Sequence, residues 1–406
     1  MSIRLPYSAK SICCASFGTV MAVLANYSAA ADTGAESAID KLVNDSKSQI
    51  SFRYRYEGVD QDGFNEDANS NTVRTRLSWT SGTLNNFSAK IELDDVRSIG
   101  DDDYNSTANG NGQFPVVADP EGSELNQAYI QYSHKGFTAI AGRQGIKLDD
   151  QRFVGTVGWR QNEQTYDALR LKYKGKTTKF DYSYVDNVNR IFGPDGDKAN
   201  LKGGSHLLNV NLDLSKGHKV TVFDYYLDFD KAAALSSNTY GLRYTGKFSP
   251  VNLTASYAKQ SDAASNPISY DADYWLIDLS GKIGNIKWKL GQETLGSDNG
   301  VKAFNTPLAT LHKFQGFADK FLSTPNGGIE DRYIGFGSKL SGIAFNITYH
   351  QLQSEHNSSD LGSEWDASAA YKFNKHLKGL IKYASYDADS HATDTNKIWV
   401  QFLFTL

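Results

Sequence analysis

From Ile50 to the C-terminus the chain alternates apolar and polar residues in runs of about ten, and the connections between runs are short and long in turn. In Ile50-Ser51-Phe52-Arg53-Tyr54-Arg55-Tyr56-Glu57 the apolar and aromatic side chains take one parity and the polar ones the other; Ile398 to Leu406 repeats the pattern at the end. Strand side chains alternate faces, so each run has one face for an apolar medium and one for water. The short connections are Ser81–Asn86, His134–Gly136, Lys174–Lys176, Ser215–Gly217, Gly246–Pro250, Gly281–Asn285, Leu340–Gly342 and Asn374–His376. Most contain Gly, Asn or Pro beside Lys, as tight hairpins require. The long ones are 58–69, 95–124, 145–164, 186–204, 228–237, 261–271, 294–329, 354–362 and 387–396. Nine long and eight short connections join eighteen strands with both ends on one side of a membrane. This predicts an all-β fold, a transmembrane up-and-down antiparallel β-barrel of eighteen strands over residues 48–406.

The aromatic residues test that reading. If odd strands run outward, Tyr54, Tyr56, Tyr182, Tyr184, Tyr257, Tyr349 and Tyr383 gather at the outer rim. Trp79, Tyr132, Tyr173, Tyr244 and Tyr371, on even strands, gather at the inner rim. Tyr and Trp favour the headgroup level, so two girdles around an aliphatic band indicate a bilayer rather than a soluble sandwich or solenoid.

Residues 1–31 read as a secretory signal: Arg4 and Lys10, an apolar stretch from Ser11 to Leu24, and Ala29-Ala30-Ala31 before Asp32. About fourteen apolar residues are too few for a spanning helix. Cys13 and Cys14 fall inside it, so the remaining chain carries no thiol, disulfide or Cys-zinc site. Residues 32–47 form a polar periplasmic lead-in in which Ile39, Leu42 and Val43 suggest a helical turn. The net charge of −4 argues against nucleic acid as a partner. The expected partners are outer-membrane lipid, lipopolysaccharide, the barrel assembly machinery and small anionic or sugar solutes. No metal or cofactor is expected: the eight histidines are scattered, and the acidic runs 101–103, 60–62 and 195–197 do not complete an EF-hand.

The inward faces are basic at the start of the chain. Arg53 and Arg55 lie opposite Arg74 and Arg76, with Lys90, Arg170, Lys172 and Lys179 on nearby strands. Such a stack could hand carboxylates or phosphates from fork to fork. Alternatively the arginines pair with lumen acids such as Glu57, Glu92 and Asp181, or with an inward-folded loop; the two readings are compatible. Residues 145–164 are more apolar and more basic than the other long connections. Phe153, Val154, Val157 and Trp159 suit burial against the lumen wall, which would carry Arg152 and Arg160 to the pore waist; the alternative is packing among neighbouring external loops.

Gly142-Arg143-Gln144, Gln151-Arg152-Phe153-Val154-Gly155, Trp159-Arg160-Gln161-Asn162 and Thr165-Tyr166-Asp167-Ala168-Leu169-Arg170 resemble the alginate-export family of outer-membrane barrels. Arg53-Tyr54-Arg55-Tyr56-Glu57-Gly58 and Thr72-Val73-Arg74-Thr75-Arg76-Leu77 look like the same group. The resemblance implies an eighteen-stranded barrel with a basic pore for anionic sugars or related acids. It also implies Arg74, Arg76, Arg143, Arg152, Arg160 and Arg170 as pore residues, with Asp167 as an orienting partner. The periplasmic turns are too short to plug a wide polymer conduit. A passive channel for small anionic or oligosaccharide solutes is therefore favoured over an export conduit for an acidic exopolysaccharide such as alginate. A hydrolase would need a triad at one rim; His350 with Asp366 reads instead as a pair of lumen polar groups, so no enzymatic activity is expected.

Overall fold

A computed structural model describes residues 40–100, 102–194, 196 and 198–406. The predicted signal with Cys13 and Cys14, most of the lead-in, and Asp101, Asp195 and Asp197 lie outside the described residues. Eighteen antiparallel strands form one sheet. They are β1 Lys47–Gln61, β2 Ala68–Thr80, β3 Phe87–Ser98, β4 Gly122–His134, β5 Phe137–Gln144, β6 Thr165–Lys174, β7 Thr178–Asn189, β8 Asn200–Ser215 and β9 His218–Leu227. The second half comprises β10 Ser237–Phe248, β11 Val251–Asp262, β12 Asp271–Ile283, β13 Ile286–Leu295, β14 Ile329–Leu340, β15 Ile343–Gln353, β16 Asp360–Lys372, β17 Leu377–Ala388 and β18 Thr395–Thr405. Each strand pairs with the next, and β18 returns to β1 from Ser51↔Thr405 to Gln61↔Thr395. Closure leaves no open sheet edge, which a bilayer demands because nothing there could satisfy edge N–H and C=O groups.

The tight turns lie where the sequence put them. Lys135-Gly136 and Ser341-Gly342 have positive φ at both positions, the hairpin geometry whose twist matches the flanking strands. A Cβ at Gly136 would stand 2.7 Å from the Lys174 carbonyl oxygen, so the turn needs glycine for space as well as for conformation. Residues 40–44 form the expected helical turn, and the Gly82 amide of the β2–β3 connection donates to the Leu42 carbonyl at 2.9 Å.

Alternation then sorts the faces. On β1, Arg53, Arg55 and Glu57 are buried inward, while Phe52 on the other parity is exposed. Ile91, Leu93, Phe345 and Ile347 are exposed on the lipid face. Val210 pairs with exposed Val222, opposite in parity to buried Asn209, and Leu212 shares its face. The rim residues Tyr257 and Tyr383 likewise point outward, beside buried Ala258 and Lys382. Leu93→Arg should cost roughly 2–4 kcal/mol in a urea titration of the barrel in liposomes. A change too small to resolve would mean that Leu93 does not face lipid.

Candidate functional site

Loop 3, residues 145–164 between β5 and β6, enters the barrel. Ile146, Leu148, Arg152 and Val154 are buried. Phe153 lies 5.0 Å from Phe223, 5.1 Å from Tyr274 and 6.0 Å from Phe304, ring centre to ring centre. An aromatic ring that water would otherwise surround is thus buried among inward rings of β9 and β12. Loop 3 does not fill the waist alone. Loop 7, residues 296–328 between β13 and β14, comes in to meet it, with Phe304, Leu308, Ala318 and Phe321 buried. The two join through a parallel bridge, Val154 with Leu308; the Gly155 amide donates to the Leu308 carbonyl at 2.9 Å and the Thr310 amide to the Gln151 carbonyl at 3.0 Å. Composition had singled out loop 3 only. The signal for loop 7 was the same one, since Phe304, Leu308, Leu311, Phe314, Phe317 and Phe321 are too apolar for an external loop.

The candidate arginines fall into two groups by what their guanidinium groups bind. Arg76 has two wall acids, Asp94 at 2.6 Å from Nε and Glu92 at 3.6 Å, and reaches Glu163 at 3.0 Å. Arg170 is bidentate to Asp181. Arg160 bridges Glu57 of β1, at 2.9 Å, and Asp319 of loop 7, at 2.8 Å. Arg152 binds Glu293 at 2.7 Å and the Thr306 hydroxyl at 2.9 Å, and Tyr274 donates to the same carboxylate at 2.7 Å. Arg53, Arg55 and Arg74 form the second group: loop backbone carbonyls take much of their hydrogen bonding. Burial by itself would raise the Glu163 carboxyl, but Arg76, Arg74 and Arg53 outweigh it and hold it below the usual carboxylate range. Arg152→Met would strand Glu293 as a buried unpaired charge and should loosen loop 3 by roughly 3–5 kcal/mol. R152M/E293M should recover most of the loss, read as protease sensitivity within 145–164.

Trp159 is the centre of the waist. Its ring stacks on His312 of loop 7, 4.3 Å apart at 3°. The Arg55 guanidinium and the Lys382 ammonium of β17 lie 4.1 and 4.2 Å from its centroid. Such cation–π contacts add to the attraction of neighbouring acids such as Asp119, 3.3 Å from Arg55, in holding positive charge at the waist. Lys382 contacts His312 Nε2 at 2.6 Å, and His312 Nδ1 meets Asp319 at 2.8 Å. Burial drives the His312 pKa down to about 3, more than Asp319 raises it, with Lys382 and Arg160 adding to the depression. The packed ring is therefore neutral, Nδ1–H donating and Nε2 accepting. Between pH 6.5, its ordinary value, and about 3, the unpacked histidine binds a proton that the packed one refuses. Packing of loop 7 must then weaken as pH falls through that window. Acidification from pH 7 to 5 should increase gating noise in single-channel records, and His312→Phe, which keeps a stackable ring, should flatten the response. An unchanged pH profile in that variant would clear His312 of the role.

Two expected pore residues leave the lumen. Arg143 shares its face with exposed Phe137, and Asp167 with exposed Leu169, so their ion pair, 2.8 Å, lies on the barrel's outer face near the rim. Period-two alternation forces this, because inward Ile140 and Arg170 hold the opposite parity. Lys172 does face inward on β6, opposite Asp181. His350 sits between two acids, with Nδ1 2.9 Å from Asp331 and Nε2 3.7 Å from Asp366. It serves as a lumen polar group.

A closed eighteen-stranded barrel with an apolar exterior and a polar lumen narrowed by infolded loops has the architecture of the outer-membrane porins. Residues 45–289 match the alginate export family, and the chain belongs to it. No curated protein sequence matches the chain. Among solved structures it is similar to OccK3 (OpdO) of Pseudomonas aeruginosa, with 12% identity, TM-score 0.70, and coverage of 92% of this chain and 99% of that one. OccAB2 of Acinetobacter baumannii gives 16% identity and TM-score 0.69, over 90% and 99% of the two chains. OpdK of Pseudomonas aeruginosa, solved with vanillate, gives 13% and 0.68, over 90% and 99%.

Proposed function

We propose that the barrel is a passive channel for small anionic solutes, carboxylate-bearing sugars or acids, guided through the waist by Arg53, Arg55, Arg74 and Arg76, with Arg152, Arg160, Arg170 and Lys172 shaping the field around them. The observation that carries this is the convergence of positive groups from four adjacent strands on one side of the constriction. Arg53 and Arg55 of β1, Arg74 and Arg76 of β2, Lys382 of β17 and Lys397 of β18 share that wall. A planar guanidinium fork suits a carboxylate, and closely spaced forks lower the cost of moving it between them. That a barrel of this fold has been solved with vanillate, an aromatic acid, agrees with the size and charge proposed.

Family membership favours a second reading, an export conduit for an acidic polysaccharide. Two loops meeting across the waist speak for small solutes instead. Reversal potentials across a gradient of dilute KCl decide the central claim. Anion preference supports it, and cation preference would mean that lumen acids such as Glu57, Asp94, Asp119 and Glu293 dominate.

A further inference from the structure

We infer that loop 3 caps the wall arginines with its own backbone, and that a carboxylate-bearing solute gets through by displacing four consecutive carbonyls, those of Gly158, Trp159, Arg160 and Gln161. The inference rests on the anion-channel reading and adds the gate. Arg53 donates to the Gly158 carbonyl at 2.9 Å and to the Arg160 carbonyl, Arg55 to the Trp159 carbonyl, and Arg74 to the Gln161 carbonyl at 3.3 Å. Four neutral oxygens in a row thus sit where the oxygens of an acid would.

Three further observations make this a site rather than ordinary loop packing. Among the described residues Arg53 forms no ion pair, although it is buried and directly opposite Arg74. The Nε atoms of Arg55 and Arg74 are buried without any acceptor, so both forks have a donor to spare. The acids nearest these arginines are also loop-borne: Asp119 of residues 99–121, 3.3 Å from Arg55, and Glu163 of loop 3, 3.7 Å from Arg74. Movement of the loops would therefore uncover the arginines all at once. A carboxylate presents two charged oxygens to a fork, and charge-assisted hydrogen bonds are about twice as strong as neutral ones. An acid can thus outcompete the carbonyls, whereas a neutral sugar offers nothing better than they do.

The segment is also bounded. Upstream, Arg152 is pinned by Glu293 and Thr306. Downstream, the Gln164 side chain donates to the carbonyls of Gly155 and Leu308, both at 3.0 Å. Between them, residues 156–163 form a compact turn closed by Arg160 N–H to the Val157 carbonyl, 3.1 Å, and Gln164 N–H to the Thr156 carbonyl, 2.7 Å. Lifting the turn while its ends stay fixed requires Arg160 to release Glu57 and Asp319 and Trp159 to leave His312.

The test is amide hydrogen exchange on the full purified barrel in detergent, with sodium glucuronate replacing sodium chloride at constant ionic strength. Chloride current in planar bilayers is measured in parallel. The expected result is exchange at least tenfold faster in 156–163, unchanged exchange in 146–154 and in the strands, and a chloride current reduced by glucuronate. Neutral glucose at equal concentration should do neither. Arg53→Gln should loosen 156–163 without any solute and abolish the further effect of glucuronate, and Arg53→Lys should restore part of it. If glucuronate blocks current while 156–163 exchanges as before, the acid passes without lifting the cap and the inference is overturned, with the channel reading intact. If the channel prefers cations and glucuronate changes nothing, both fall together.

Discussion

Changing Arg53, Arg55, Arg74 and Arg76 together to glutamine will turn the channel from anion-preferring to cation-preferring in dilute KCl. Removal of four positive charges from a neutral lumen would merely abolish selectivity. Here the acids that accompany them remain: Glu57, Glu92, Asp94, Asp119 and Glu163 all lie within the same network. With their counter-charges gone they set the field, so the reversal potential should change sign. At 0.01 M salt the screening length is about 30 Å, enough for the wall to act across the lumen; at 1 M it is about 3 Å and both proteins should lose most of their preference. The arginine-to-lysine quadruple variant separates charge from geometry. It should retain anion preference if charge alone matters, and lose as much as glutamine if bidentate forks are needed. Heat-modifiable mobility on gels confirms that each variant is a folded barrel. A quadruple glutamine variant that still prefers anions would remove these arginines from the selectivity mechanism.

Deletion of Phe153 to Trp159 will raise single-channel conductance, on the order of two-fold, since a hydrophobic and cationic constriction gives way to open water. The structure adds a condition that alternation could not supply. Loop 7 reaches the same waist and holds Trp159 through the His312 stack, so shortening loop 3 alone leaves half of the constriction in place. Removal of residues 304–321 as well should increase conductance further. Equal conductance in the wild type and the double deletion would place the limiting aperture elsewhere along the lumen.

The barrel was legible in the sequence because its two environments are recorded at single-residue resolution. A side chain on β1 meets either lipid or the lumen, and nothing intermediate is available to it, so Phe52, Tyr54 and Tyr56 had to differ in kind from Arg53, Arg55 and Glu57. Strand number, turn positions, register and the outward girdles all follow from that constraint. The same alternation, applied to β5 and β6, puts Arg143 and Asp167 outside, although the family resemblance had suggested the pore; local periodicity was the better guide there. Phe153 packs on the inward rings of β9 and β12 and Trp159 on His312; water avoidance is the signal in the sequence for both, and loop 7 carries the same signal.

What the sequence could not decide is which groups meet. Arg152 finds Glu293, 141 positions further along the chain, and Arg160 joins Glu57 to Asp319. Period and composition say that such groups share a lumen, but not their depth or angle around it, since these depend on the tilt of the strands and on how far each loop folds in. Lys382 and His312 show no pattern along the chain and come together only because β17 closes beside loop 7. By itself the sequence determined an eighteen-stranded outer-membrane barrel with a basic first wall and one loop folded inward. The tertiary structure alone decided that a second loop meets the first, which acid each paired arginine meets, and that Arg53, Arg55 and Arg74 are also capped by backbone carbonyls. The alternation is a local property of an extended chain in two media; charge pairing in the lumen is a property of the closed cylinder.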